Sequence, residues 1–452
     1  MRKVIWFSLA MLLAFSLVLA GCGGGTETGG DSGGGTANGG STDGETAGGG
    51  SEPKEVTLQF MHLWPAGSAR QQNMIVNSII EQFQNEYPHI TIEQDILENE
   101  QYKNKLKVVS TSNSLPDIGM TWAAGFLEPY VKGQLFAPLD DLLEDGFKDE
   151  FVVGTVEAYA IDGKTYALPI ELNIVPVYYN KALFEQFNLE VPETYDEFRH
   201  IVDTLAANGI APIALGNRDR WTGSLWFMYL ADRIGGDALN RAIDRSGSFT
   251  DESLVRAAAE VQELVRANAF NRGFNGLSND EAKAEFLNGQ AAMYLMGSWE
   301  HPNFTTNDEI PQEFRDSVGF FKFPIVEGGS GDINSWVGGP GVGLFVAENS
   351  PAKEEAKLFV RYFVEKWGEQ AVTEAGVIPA TKVDTANVDL PQKFIDLLNE
   401  LNSASNITLF ADVQMSPGVA EVHLNMIQSL FGLEIEPEEF AEVHEEALAS
   451  EQ

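Results

Sequence analysis

The 452-residue chain has a single cysteine, Cys22, so it can form neither an internal disulfide nor a multi-cysteine metal site. Basic side chains are scarce: 29 Lys and Arg stand against 67 Asp and Glu, a formal net charge of −38. A balance this acidic argues against nucleic acid as a partner, and against anionic lipid held through the protein surface. The six histidines (His62, His89, His200, His301, His423 and His444) are scattered without metal-ligand spacing. Neither a Gly-x-Ser-x-Gly elbow nor a His-Glu-x-x-His helix occurs. Gly339-Pro340-Gly341-Val342-Gly343 is no phosphate loop, because no Lys-Ser/Thr follows it. With these absences, no catalytic residue, metal or cofactor is expected.

What is present begins at the N-terminus. Met1-Arg2-Lys3 precedes an apolar run from Val4 to Ala20, closed by the small residues Ala20 and Gly21 before Cys22. These are the three parts of a secretory signal peptide, and 1–21 is read as one. Leu19-Ala20-Gly21-Cys22 resembles the bacterial lipobox, which implies diacylglycerol on the Cys22 sulfur and cleavage just before it. An acylated cysteine would hold the mature chain on the outer face of a cell membrane without spanning it. Residues 23–50 carry 14 glycines in 28 positions and no apolar side chain larger than alanine. Such a segment cannot bury enough surface to offset its ordering entropy. Residues 22–55 are read as the lipidated cysteine and a flexible tether, with a reach of roughly 30 Å. A lone anchoring cysteine with a long tether fits a Gram-positive surface.

The remaining 400 or so residues exceed the usual limit of one core, which predicts two lobes. Val56–Phe60 alternates as a strand, Ala69–Tyr87 places Ile75, Ile79, Ile80 and Phe83 on one helical face, and Ile90–Ile92 is a second strand. A helix over Tyr102–Ser112 and a short strand at Pro116–Met120 continue the alternation, which indicates an α/β lobe with a largely parallel sheet. The middle of the chain is richer in helix, with Thr194, Asp196 and Thr250 as candidate caps. Another helix is expected from Ser350-Pro351 to Trp367.

Five stretches, in order, carry a family likeness. They are Ser114-Leu115-Pro116-Asp117-Ile118 with Thr121-Trp122; Gly163 to Pro169 leading into Tyr178 to Phe184; Phe286 to Met293 leading into Gly297-Ser298-Trp299; Ser350 to Ala356; and Gly376 to Ala380. Together they resemble the family 1 extracellular solute-binding proteins, the sugar-capturing subunits of bacterial ABC importers. That resemblance implies an α/β, two-lobe, periplasmic-binding-protein-like fold, hinged by crossing segments, with an interlobe ligand cleft. The crossings are expected near 166–171, 295–298 and 345–349. The lobes are expected to be 56–168 plus 298–348, and 169–297 plus 349–452. The resemblance also implies a carbohydrate ligand, ABC permease subunits as partners, and action as a monomer.

Sugars present apolar C–H faces and hydroxyls that both donate and accept, so a site for them needs flat aromatics beside carboxylates and amides. Trp299, after Gly297-Ser298, matches a sugar-stacking tryptophan of the family, and Trp122 is a second candidate. Trp64 and Trp336 are either ligand contacts or core. Of Trp221 and Trp226, one is expected to reach the cleft; Trp367 is expected to pack. Asn173 and Glu171 lie just past the first crossing, and Asn173 matches a ligand-contacting position of the family. Asp117 either contacts hydroxyls or caps a turn. Glu300 and Asp412 are further candidates. Gly338 and Gly339 either admit backbone close to the ligand or form a plain turn. A carbohydrate-active hydrolase would need a carboxylate pair, and no spacing singles one out among 67 acidic residues. A receptor for a non-sugar solute is the other alternative. A structural surface protein would leave the ordered family stretches unexplained.

Overall fold

The computed structural model describes residues 54–383 and 388–451. Cys22, the signal peptide and the glycine-rich segment lie outside the described residues.

The first sheet has the order Ile90–Ile96, Val56–His62, Ile118–Thr121, Gly343–Val346, Leu168–Pro169. Its first three strands are parallel, and Gly343–Val346 runs antiparallel between its neighbours. The helix Arg70–Glu86 buries Ile75, Val76, Ile79, Ile80 and Phe83, the apolar stripe its 3.6-residue spacing lays out. The helix Lys353–Gln370 closes over the same core: the Phe359 ring lies 5.6 Å from Phe60 and 4.9 Å from Phe83.

A second sheet has the order Val318–Phe321, Val177–Asn180, Ala291–Leu295, Ala211–Ile213. Leu172–Ile174, Ser335–Pro340 and Asn406–Thr408 form a third, three-stranded sheet. The two-lobe α/β architecture is thus present. The chain leaves the first sheet after Pro169 and returns at Gly343, close to the expected first crossing.

Sheet membership departs from the expected division. Residues 298–342 do not join the first lobe, because Val318–Phe321 pairs antiparallel with Val177–Asn180 of the second sheet. Nor is 295–298 a crossing, since the chain stays beside that sheet. Residues 349–370 belong to the first lobe, where Phe359 and Phe363 fill its core against Phe60.

Local chemistry sets the helix starts. Thr194 and Glu197 form a reciprocal capping box, as do Ser278 and Glu281. At the helix Glu252–Arg266 the cap is Asp251, whose carboxylate accepts from the Ser253 N–H; Thr250 lies one residue too early. Among the described residues no helix is long and apolar enough to cross a membrane.

Candidate functional site

Parallel sheets open their binding crevices beyond the carboxyl ends of their strands. Val56–His62 ends there and delivers Leu63 and Trp64; Ile118–Thr121 ends there and delivers Trp122. Facing them from the second lobe are Trp221, at the start of the helix Trp221–Gly235, and Trp299, in the turn after Ala291–Leu295. The cavity between them has a volume of about 170 Å³.

Trp122, Trp221 and Trp299 are half-buried, each leaving part of its side chain open. Trp221 and Trp299 stand 6.1 Å apart at 59°, and Phe410 meets Trp299 at 6.0 Å. Trp299 reaches this position by folding back over Gly297, where a Cβ would lie 2.0 Å from the indole. Trp64 borders the cavity with its other face stacked on Trp367, 4.5 Å away at 6°.

The polar floor is Glu171 and Asn173. Ser298 donates its hydroxyl to Asn173 Oδ1 at 2.9 Å, which leaves Asn173 Nδ2 and Glu171 Oε1 buried without partners. Burial pushes the Glu171 carboxyl up to about 7, against the opposing effect of the Asn173 amide. Gly341 keeps this pair open: a Cβ there would lie 2.5 Å from Asn173 Nδ2 and 3.2 Å from Glu171 Oε2.

An ion cluster centred on buried Lys283 and Glu300 forms one wall. Lys283 Nζ donates to Glu300 at 3.0 Å, to Asp280 at 3.1 Å and to the Ser68 carbonyl at 3.2 Å. Burial opposes the ammonium charge, but Glu300 and Asp280 carry the Lys283 pKa above the usual lysine range. Glu98 accepts from the Ser68 hydroxyl, and its pKa is raised by burial and by Asp280. Asp412 is likewise raised by burial, with Lys103 opposing.

Of the residues singled out from sequence, Trp64, Trp122, Glu171, Asn173, Trp221, Trp299, Glu300 and Asp412 meet around this cavity. Five do not. Asp117 precedes its strand, at the opposite end of the sheet, and accepts from the Gln59 N–H at 2.8 Å and the Ser350 hydroxyl at 2.6 Å. Trp226 is fully buried against Phe198, Phe270 and Phe323. Trp336 is buried in the third sheet. Gly338 and Gly339 pair with Ile174 and Asn173, so the backbone they admit is the protein's own strand. Sequence reasoning missed Glu98, Lys103, Asp280, Lys283, Gly341 and Phe410, all of which line the cavity. The Ser278–Glu281 capping box that aims Asp280 and Lys283 was the one available signal.

The family model described as bacterial extracellular solute-binding protein matches residues 70–367. The chain belongs to that family. Its members are receptors for solutes and face the outside of the cell. The multiple sugar-binding protein of Streptococcus mutans is 24% identical to this solute-binding protein over 318 residues, 68% of this chain and 71% of the relative. A structure solved in work on xylan utilization by Caldanaerobius polysaccharolyticus is 32% identical, with a TM-score of 0.81 over 86% of this chain and 99% of that one. A chitin oligosaccharide binding protein superimposes with a TM-score of 0.80 at 26% identity, over 88% of this chain and 98% of that one.

Proposed function

We propose that this solute-binding protein captures an oligosaccharide outside the cell and delivers it to the membrane subunits of an ABC importer. The observation that carries this reading is that three half-buried indoles, Trp122, Trp221 and Trp299, line one cavity together with Glu171 and Asn173, whose Oε1 and Nδ2 have no hydrogen-bond partner. Indoles stack on sugar C–H faces, while the carboxylate accepts from hydroxyls and the amide donates to them. The sugar-binding relatives support the same ligand class.

The preference for a chain of sugars comes from a second cavity of about 450 Å³. It shares Lys103, Trp122, Trp221 and Asp412 with the first and continues along Phe126 and Tyr130. The Trp122 and Phe126 rings are 5.0 Å apart, and Phe126 and Tyr130 are 5.8 Å apart, an aromatic track for further rings.

Both lobes contribute plates, so a bound sugar favours the closed arrangement by differential contact, and the closed form docks on the permease. The protein acts as a monomeric receptor and leaves its ligand intact. Cys22 carries the lipid that holds it at the cell membrane, and Cys22→Ala is expected to release the protein into the medium.

A thermal-unfolding screen of the domain from about residue 51 against mono- and oligosaccharides tests the reading. A ligand at 100 times its Kd adds about 2.7 kcal/mol of stability, a readable rise in Tm. Oligosaccharides are expected to raise Tm more than their monomers and to be recovered uncleaved. A folded domain that no sugar stabilises would make it a receptor for another solute class.

A further inference from the structure

The charge inventory of the first cavity reaches beyond sugar binding in general. Five carboxyl groups line it: Glu98, Glu171, Asp280, Glu300 and Asp412. Two ammonium groups, Lys103 and Lys283, are the cations among its lining residues, which include no arginine. An ammonium has three N–H donors. Those of Lys283 are all engaged, by Glu300 at 3.0 Å, Asp280 at 3.1 Å and the Ser68 carbonyl at 3.2 Å. Lys103 sits 5.0 Å over the Trp122 ring and donates to Glu100 at 3.3 Å. An anionic ligand would therefore find Lys103 as the one lining ammonium with donors to spare, against five carboxyl groups.

Acceptors are in surplus instead. Glu171 is only 4% exposed and is one of the residues lining the cavity, and its Oε1 is a buried atom with no hydrogen-bond partner. A sugar hydroxyl or a sugar ammonium would satisfy it; a carboxylate or phosphate would leave it unsatisfied and add like-charge repulsion.

We propose that the cavity selects neutral and amino sugars and rejects sugar acids and sugar phosphates, with Glu171 as the innermost determinant of that selection. The inference rests on the sugar-receptor reading. Rejection is built from unpaired acceptors as much as attraction is built from the indoles, which is how discrimination between isosteric ligands is obtained. The −38 net charge disfavours anions during approach as well.

The test is titration calorimetry of the wild-type domain at pH 7.5 with three β-linked disaccharides of the same size. One is made of glucose, one of glucosamine, and one carries a glucuronic acid at its non-reducing end. The glucosamine disaccharide is expected to bind at least as tightly as the glucose one, and the glucuronic acid disaccharide about tenfold or more weakly. Uronate binding equal to neutral binding overturns the proposal while leaving the sugar-receptor reading intact. If no sugar stabilises the folded domain in the thermal-unfolding screen, the receptor reading fails and the proposal with it; if that screen selects another linkage, the same three-way comparison is made with disaccharides of that linkage. Glu171→Gln keeps the shape and removes the charge. In that variant the neutral-to-uronate affinity ratio is expected to narrow about threefold or more, and an unchanged ratio removes Glu171 as the determinant.

Discussion

At the residue scale, exposure separates tryptophans that composition makes alike. Trp299 is half-buried at the cavity, whereas Trp226 is 0% exposed among Phe198, Phe270 and Phe323. Trp299→Ala is expected to weaken sugar binding about tenfold or more with little change in unfolding free energy, since a half-buried plate leaves a small void. Trp226→Ala is expected to cost about 3–5 kcal/mol of stability from lost burial and the cavity left behind. Calorimetric titration beside denaturant unfolding reads both, and equal stability losses would undo the distinction. Gly341→Ala forms a third case. Its Cβ would press within 2.5 Å of Asn173 Nδ2, on a side chain pinned by Ser298, so affinity should fall while the fold holds. The sequence names the aromatic and acidic residue types a sugar site needs, and the family likeness points to Trp122, Trp299, Glu171 and Asn173, all four of which line the cavity. It does not say which end of a strand a residue occupies. Asp117 and Trp122 flank the same four-residue strand, Ile118–Thr121, and only the second reaches the cleft.

At the scale of elements, three helices meet in a buried chain of side chains. His444 Nδ1–H donates to the Phe440 carbonyl at 2.7 Å, which leaves His444 Nε2 to accept from His423 Nδ1–H at 2.9 Å. His423 Nε2 then accepts the Ser224 hydroxyl at 2.7 Å. The chain joins the helices Trp221–Gly235, Pro417–Phe431 and Pro437–Ala449. It requires neutral rings, because a proton on His444 Nε2 would face the His423 N–H. Burial lowers the His423 pKa well below 6.5, with His444 adding to the effect, and lowers His444 to about 4 against its Phe440 bond. The folded state thus binds fewer protons than the unfolded one between about pH 6.5 and 4, and stability falls as pH falls through that window. The slope is about 1.4 kcal/mol per pH unit for each histidine. Glu171, raised to about 7, contributes the opposite slope, so the informative measurement is a comparison. His444→Gln keeps an acceptor for His423 but does not titrate. Its Tm should decline less steeply than the wild type's from pH 6.5 to 4.5, and parallel curves would exclude the relay.

Helix and strand positions were largely legible, because periods of 3.6 and 2 and the Thr194 cap report local geometry. The four residues Val318–Phe321 carry too little pattern to announce a strand. Which sheet each strand joins is decided by pairing across the chain, so the division into lobes was legible only at the first crossing.

At the scale of the whole molecule, the two lobes touch along the start of the helix Arg70–Glu86. Gln72 Nε2 donates to the Trp299 carbonyl at 3.0 Å, and Lys283 reaches the Ser68 carbonyl from the opposite lobe. At the outer edge Arg70 pairs with Asp308 at 3.2 Å and with Glu309 at 3.4 Å. Gln72 and Lys283 border the cavity, so their removal would mix ligand contact with closure. Arg70 does not border it and isolates the closure term. The pair is solvent-exposed on its acidic side, with Asp308 at 77%, so it is worth about 0.2–1 kcal/mol. If sugar binding is coupled to closure, that energy appears as affinity, about 1.4 kcal/mol per factor of ten. Arg70→Ala is therefore expected to weaken binding up to about fivefold in low salt. Screening erodes an exposed pair, so the two proteins should converge in affinity near 1 M salt, where the Debye length is about 3 Å. A gap that persists at high salt would mean that Arg70 acts through packing. No gap at any salt would mean that this edge plays no part in closing the cleft.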